Sequence, residues 1–137
     1  LDGESFIDLI MKPHTAYYPI LKSILNTDGI TGMAHITGGG IEGNVKRIIP
    51  EGLCAVIDLS TIDVLSIFKF IKEKAHIDNE EMLSTFNCGV GLIIIAKEGF
   101  ADRIINYINQ FVKCYEIGVV KENISKEKVK FTNEFIW

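Results

Sequence analysis

Apolar residues recur along this chain at the spacing of three and four positions that is typical of amphipathic helices. The stripes Val64–Ala75 and Ala101–Val112 are the clearest examples. Near the amino terminus, a further stripe runs from Tyr17 to Leu25, and we expect Thr15 to cap that helix and Gly29 to end it. The remaining predicted helices cover residues 4–11, which Pro13 ends, and 41–49.

Other apolar segments have the length and composition of strands. Residues 88–96 are apolar at nearly every position, which indicates a central strand covered on both faces. We expect residues 53–58 to form a neighbouring or near-neighbouring strand of the same sheet, under helices 64–75 and 100–112. The other predicted strands cover residues 31–37, 114–120 and 128–131. Because strands and helices mix without strict alternation, the pattern predicts an α+β fold, an α/β sandwich with helices covering a small mixed sheet.

Composition limits the classes of protein to consider. The 137 residues fit one domain with a real core, and the longest strongly apolar run, Val90–Ala96, is too short for a membrane span. The net charge of −4 has no basic stripe, which argues against general nucleic-acid binding. Three widely spaced cysteines indicate a reducing cytoplasm. Because the chain begins at Leu1 in what resembles the middle of a helix, we expect a fragment or a processed piece.

The segment "MAHITGGGIEGNVKRIIPEG" contains the most unusual chemistry. Strand alternation places His35 and Thr37 on one face at the end of a strand. The glycines Gly38–Gly40 can then turn backbone N–H groups outward, and the next helix, beginning near Ile41, adds unpaired N–H groups, so an anion site without charged side chains is one interpretation. The alternative is a tight turn that needs glycine only for its geometry, with His35 hydrogen-bonded to the backbone.

A second segment, "TFNCGVGLIII", favours a site. Strand alternation places Asn87, Gly89 and Gly91 on one face, as a bare backbone strip headed by an amide. Glycine inside a strand often marks the close approach of a ligand or of another backbone. A bulge, or a helix packed tightly against the strip, is the alternative.

Taken together, "AHITGGGIEGNVKRIIPEGLCAVID" and "EEMLSTFNCGVGLIIIA" resemble the C-terminal half of the phosphoribosylformylglycinamidine cyclo-ligase (aminoimidazole ribonucleotide synthetase) family. The segment "MKPHTAYYPIL" fits the same register. The resemblance implies an enzyme of purine biosynthesis that uses ATP and magnesium to close formylglycinamidine ribonucleotide into aminoimidazole ribonucleotide. It also implies that residues 1–137 form a single C-terminal, substrate-side domain, and that the ATP-binding N-terminal domain lies outside this chain, which would be inactive alone.

The same resemblance implies roles for individual residues. His35 would be catalytic, no residue would bind metal, and the nucleotide and magnesium would be bound mainly by the N-terminal domain. Ser84 stands where the family often has Arg, which weakens a phosphate contact there. The expected partners are the substrate, the chain's own N-terminal domain and a second copy in a cytoplasmic homodimer. The expected substrate- or phosphate-binding residues are Thr37, Gly38, Gly39, Gly40, Asn44, Arg47 and Asn87.

Two other functions remain open at this point. The chain can be a non-catalytic α+β domain that senses a phosphorylated metabolite through Gly38–Gly40. It can also be another ATP-dependent member of the same superfamily, although relatives of that kind usually carry Asp where His35 stands.

Overall fold

The computed structural model describes residue 1 and residues 3–137, which form short helices around two small sheets. The helices are α1 (Phe6–Ile10), α2 (Tyr17–Leu21), α3 (Gly40–Val45), α4 (Ser66–Ala75), α5 (Asn79–Thr85) and α6 (Ala101–Ile108). The strands are β1 (Ile30–His35), β2 (Leu53–Asp58), β3 (Leu92–Ala96), β4 (Gly118–Glu122) and β5 (Val129–Thr132). The predicted α+β class is confirmed.

The strands divide between two sheets, so the prediction that β2 and β3 share one sheet is wrong. Strand β3 pairs with β1 in an antiparallel two-stranded sheet. Strand β2 is the centre of a mixed three-stranded sheet, antiparallel to β4 and parallel to β5. An apolar pattern reports that a strand is buried, but it does not specify which backbone completes its hydrogen bonds.

The burial predicted for residues 88–96 on both faces holds for β3 itself. Ile93 and Ile95 pack against the larger core cluster, together with Ala34 and Ile36 from the neighbouring chain segment. The alternate residues of β3 pack against a second cluster built from α2 and α6. The two-stranded sheet is therefore sandwiched between two apolar layers, as the near-continuous apolar run requires.

The larger core also receives the buried faces of α3 and α5. Ile41 and Val45 of α3, and Met82 of α5, are almost completely buried there. Asp78 begins α5 because its side chain accepts a hydrogen bond from the backbone N–H of Glu81. This helix was missed in the sequence because its apolar stripe spans only two turns. It packs directly against α3 and so supports the glycine loop that precedes α3.

Several predicted boundaries need correction. Helix α2 begins after Ala16, without a side-chain cap from Thr15. The strand predicted at 114–120 is found at Gly118–Glu122, because the amide of Asn109 holds both backbone groups of Cys114 in side-chain hydrogen bonds. The helix predicted at 41–49 is regular only over Gly40–Val45 and continues as hydrogen-bonded turns. Among the described residues, no helix has both the length and the apolar character needed to cross a membrane.

Candidate functional site

His35 is the last residue of β1, and its side chain is exposed. Its Nε2 lies 3.4 Å from Nε2 of His14, which belongs to the loop between α1 and α2. The two rings meet edge to face with their centroids 5.0 Å apart, and the Tyr17 ring lies 6.1 Å from His35. The backbone hydrogen bond proposed for His35 as the alternative to a site is not found, because the imidazole contacts another imidazole instead.

Gly91 provides the space for this cluster of rings. A Cβ at this position would lie 2.0 Å from the Tyr17 hydroxyl and 3.4 Å from Cε1 of His14. The backbone at Gly91 is thus approached closely, and the nearest group is the hydroxyl of Tyr17, the first residue of α2. At Gly91 this agrees with the alternative proposed from the sequence, a helix packed tightly against the bare backbone. Burial raises the pKa of Tyr17, against a smaller opposing effect of its hydrogen bond with Thr15, so this hydroxyl stays neutral at physiological pH.

The glycine loop after His35 contains one residue that the fold requires to be glycine. Gly40 has a φ of +62°, and a Cβ there would lie 1.7 Å from the carbonyl oxygen of Leu83 on α5. Gly39 also has a positive φ, +91°. Gly38, in contrast, has neither a positive φ nor any neighbour within 4 Å of an added Cβ. The geometry of the turn therefore explains Gly39 and Gly40 but leaves Gly38 unexplained.

Asn44 lies beneath the loop rather than at its surface. Its residue exposure is 5%, and its Nδ2 donates to the carbonyl oxygen of Gly40 at 2.8 Å, with longer contacts of 3.4 Å to the carbonyls of Thr37 and Gly38. Both amide hydrogens are consequently committed to the loop. The geometry supports a role for Asn44 in holding the loop, and does not support a contact between its Nδ2 and a ligand.

Thr37 and Arg47 are exposed at opposite ends of α3. The Thr37 carbonyl accepts a hydrogen bond from the N–H of Gly40, which closes the loop. Among the described residues, the Arg47 guanidinium forms no salt bridge or side-chain hydrogen bond, so its charge is uncommitted.

Asn87 belongs to a turn, and the prediction of a strand from Cys88 onward is wrong at this end. Its Oδ1 accepts from the N–H of Gly89 at 3.0 Å, and its carbonyl accepts from the N–H of Val90 at 2.9 Å. Cys88 and Gly89 both have positive φ, which a strand does not allow. The alternating faces proposed for Asn87, Gly89 and Gly91 therefore do not exist, and only Nδ2 of Asn87 is left to donate to another molecule.

One cleft among the described residues reaches the ring cluster at Tyr17 and Gly91. It encloses about 830 Å³ and is lined mainly by aliphatic residues of β3, α6 and residues 112–120, with neither His35 nor the glycine loop in its wall. A phosphorylated substrate needs hydrogen-bond donors and cations, which this lining offers sparsely. We therefore place the candidate site at His35 and the glycine loop.

No three His, Cys, Asp or Glu side chains of the described part of the chain are grouped so that they could hold a metal ion. The groups around His35 are imidazoles and hydroxyls, whereas Mg²⁺ prefers carboxylate oxygens. The donor set at this site does not fit magnesium.

Comparison with known proteins now gives the family. A sequence model described as "AIR synthase related protein, C-terminal domain" matches residues 4–129. The chain belongs to this family. It is also 31% identical over 126 residues to the phosphoribosylformylglycinamidine cyclo-ligase of Alkaliphilus metalliredigens (strain QYMF). That alignment covers 92% of this chain and 36% of the relative, so the chain spans little more than a third of the length of the curated protein it matches.

All of the site described above lies within the matched AIR synthase related C-terminal domain. Sequence reasoning found His35 and the glycine loop but missed His14 and Tyr17. A signal was present in "MKPHTAYYPIL", where a histidine and two tyrosines precede an apolar helix face. Nothing in that local pattern indicates that these rings fold back over Gly91, since the contact joins segments 74 residues or more apart (91 − 17).

Proposed function

We propose that this chain is the C-terminal, substrate-side part of an ATP-dependent cyclo-ligase, which converts formylglycinamidine ribonucleotide to aminoimidazole ribonucleotide in purine biosynthesis. The observation that carries the proposal is the exposed imidazole of His35 beside an open glycine loop, in a chain similar to a protein named as this cyclo-ligase. That name favours a catalytic role over a metabolite sensor.

His35 is the residue to which we assign the chemistry. Ring closure requires the attacking nitrogen to lose a proton and the carbonyl oxygen, activated as a phosphate ester, to leave. An exposed imidazole can accept that proton or donate a hydrogen bond to the oxygen, since one ring nitrogen is a base and the other a donor in the neutral form. In this proposal His35 therefore stands at the reacting atoms.

The surrounding groups bind and orient the substrate. The N–H groups of Gly38 and Gly39 lie in an exposed loop, and Gly38 leaves open space where a side chain would otherwise stand. Nδ2 of Asn87 is a hydrogen-bond donor, and the Arg47 guanidinium is an uncommitted cation for a phosphate. Thr37 is an exposed residue of the loop, two positions after His35, and adds a hydroxyl. Asn44 acts indirectly, by fixing the carbonyls of the loop.

ATP and magnesium belong, in this proposal, to an N-terminal domain outside the 137 residues, because the donor set around His35 does not suit the metal. When bound, ATP would supply the phosphoryl group that activates the oxygen, and magnesium would neutralise charge on the phosphates. We further infer that the full-length protein is a homodimer and that it works in the cytoplasm. The three free cysteines support a reducing compartment.

Substitution of His35 in the full-length enzyme tests the assignment. We expect His35→Ala to lower kcat by about a hundredfold or more, because general acid–base catalysis typically contributes at least that much. The melting temperature should change little, since the side chain is exposed. His76→Asn is the matched control: His76 is also an exposed histidine, at the end of α4, and its left-handed backbone conformation suits Asn.

A destabilised but fully active His35→Ala enzyme would remove His35 from the mechanism. Product formation with ATP and magnesium by the 137-residue chain alone would contradict the division of labour between two domains. Failure of the wild-type full-length protein to make aminoimidazole ribonucleotide would reject the proposed function itself.

A further inference from the structure

The contact between His14 and His35 fixes where the protons of both rings lie. Nδ1 of His14 is 3.2 Å from the carbonyl oxygen of Thr15, and a carbonyl can only accept. Nδ1 of His14 therefore carries the hydrogen. A neutral imidazole has a single N–H group, so Nε2 of His14 is an acceptor.

The tautomer of His35 follows from that of His14. Its Nε2 faces Nε2 of His14 at 3.4 Å, and an acceptor on one side requires a donor on the other. Nε2 of His35 therefore carries the hydrogen, and Nδ1 of His35 is the nitrogen with a free lone pair. No hydrogen bond joins this Nδ1 to another of the described residues.

We propose that His14 is a positioning residue for His35. By accepting from Nε2–H of His35, it keeps the basic lone pair on Nδ1 and fixes the plane of the ring. This inference rests on the proposed function, in which His35 faces the substrate. A base oriented by a third group is a recurring arrangement in enzymes.

The proton transfer balances without any further group. The proton passes from the attacking substrate nitrogen to Nδ1 of His35, and the electron pair of the broken N–H bond stays on that nitrogen. The resulting imidazolium keeps its Nε2–H, whose hydrogen bond to neutral His14 strengthens because the donor is now charged. His14 itself gains and loses no proton.

The surroundings of the pair suit this arrangement. Among the described residues, the aromatic rings that contact His35 are His14 and Tyr17, and neither histidine forms a salt bridge with a carboxylate. Tyr17 is held by its packing on Gly91, and its ring lies 5.7 Å from that of His14. The acceptor for Nε2–H of His35 is therefore the other imidazole and not an acidic side chain.

Long-range ¹H–¹⁵N correlation spectra of the 137-residue chain test the tautomers directly. The spectra are to be recorded at about pH 9, well above the reference pKa of about 6.5 for histidine in model peptides. We expect His14 as the Nδ1–H form and His35 as the Nε2–H form. The exposed His76 serves as an internal reference and should favour Nε2–H, the intrinsically preferred tautomer of histidine. Because Nδ1–H is the less favoured form, its presence at His14 would require the hydrogen bond to Thr15. An Nε2–H tautomer at His14, or Nδ1–H at His35, would overturn the assignment.

Two variants in the full-length enzyme then test the positioning role. His14→Phe keeps a ring over Gly91 but removes the acceptor, and we expect kcat to fall about ten- to a hundredfold with little change in KM. His14→Gln keeps an acceptor oxygen and should recover most of the lost rate, whereas a merely structural role would favour Phe.

The outcomes separate this proposal from the function on which it rests. Full activity of His14→Phe, in an active wild-type background, would overturn the positioning role and leave the cyclo-ligase assignment intact. A wild-type enzyme without cyclo-ligase activity would overturn the catalytic use of the pair, while the spectra would still decide its tautomers.

Discussion

Gly40 combines a positive φ with a backbone neighbour too close for a side chain. We predict that Gly40→Ala destabilises the chain severely. A Cβ would lie 1.7 Å from the Leu83 carbonyl oxygen and 2.9 Å from its carbon, both parts of the α5 backbone. Because a backbone carbonyl cannot rotate away as a flexible side chain does, either α3 or α5 would have to move.

The magnitude follows from two contributions. The positive φ of +62° costs a residue with a Cβ roughly 1–2 kcal/mol. Forcing an extra carbon into a filled interface adds about 1–3 kcal/mol. Together they amount to roughly 2–5 kcal/mol, compared with a total stability of about 5–15 kcal/mol for a typical domain. For a chain of this size, that corresponds to a fall in Tm on the order of 10 °C.

Thermal unfolding followed by circular dichroism measures this effect, with Gly38→Ala as the matched control. Gly38 lies two residues earlier in the same loop, without a positive φ and without a neighbour within 4 Å of an added Cβ. Its Tm should stay close to that of the wild type. If Gly40→Ala also melted within about 2 °C of the wild type, the packing of the glycine loop against α5 would be wrong.

Two further predictions concern buried polar groups. Asn44→Ala should cost about 1–3 kcal/mol, measured by urea unfolding, because the Gly40 carbonyl loses its donor. Asn44→Asp has no side-chain donor when ionised, so it should be no more stable than Asn44→Ala. A urea midpoint of Asn44→Asp equal to that of the wild type would contradict the hydrogen bonds assigned to Nδ2. Cys88 is fully buried, and burial raises its pKa from 9.0 to about 11. The stabilising contribution of the neutral Cys88 thiol should be present below about pH 9 and lost as the pH rises towards about 11. In the native protein, Cys88 should also resist alkylation, as measured by mass spectrometry.

The raised pKa of Cys88 makes the free energy of unfolding fall, rather than rise, with increasing pH. The unfolded thiol ionises first as the pH rises, because burial in the folded state favours the neutral form. Ionisation lowers the free energy of the unfolded state relative to the native state, so the free energy of unfolding falls. The effect is on the order of 2 kcal/mol. Stability that stayed constant from pH 8.5 to about 11 would show that the thiol is not buried as described.

The sequence by itself determined the elements whose signal is local. Strand β2 was predicted at its observed bounds, because Leu53–Asp58 is a short apolar run between a glycine turn and a polar segment. The stripe that became α6 was predicted from its period, and Ile104 and Ile108 are buried as that period requires. The position of His35 near the end of a strand, and the family itself, also followed from motifs that are contiguous in the chain.

Only the tertiary structure decided which distant groups meet. The assignment of β2 and β3 to separate sheets, the packing of Gly40 on Leu83, and the pairing of His14 with His35 each join segments far apart in sequence. Periodicity reports that a face is buried, whereas these contacts depend on which of several apolar faces pack together. The turn at Asn87 was missed for a related reason. Positive φ at a non-glycine residue such as Cys88 leaves no mark in the hydrophobic pattern. The turn is stabilised here by the buried Cys88 thiol and by a hydrogen bond from the backbone N–H of Gly89 to Oδ1 of Asn87.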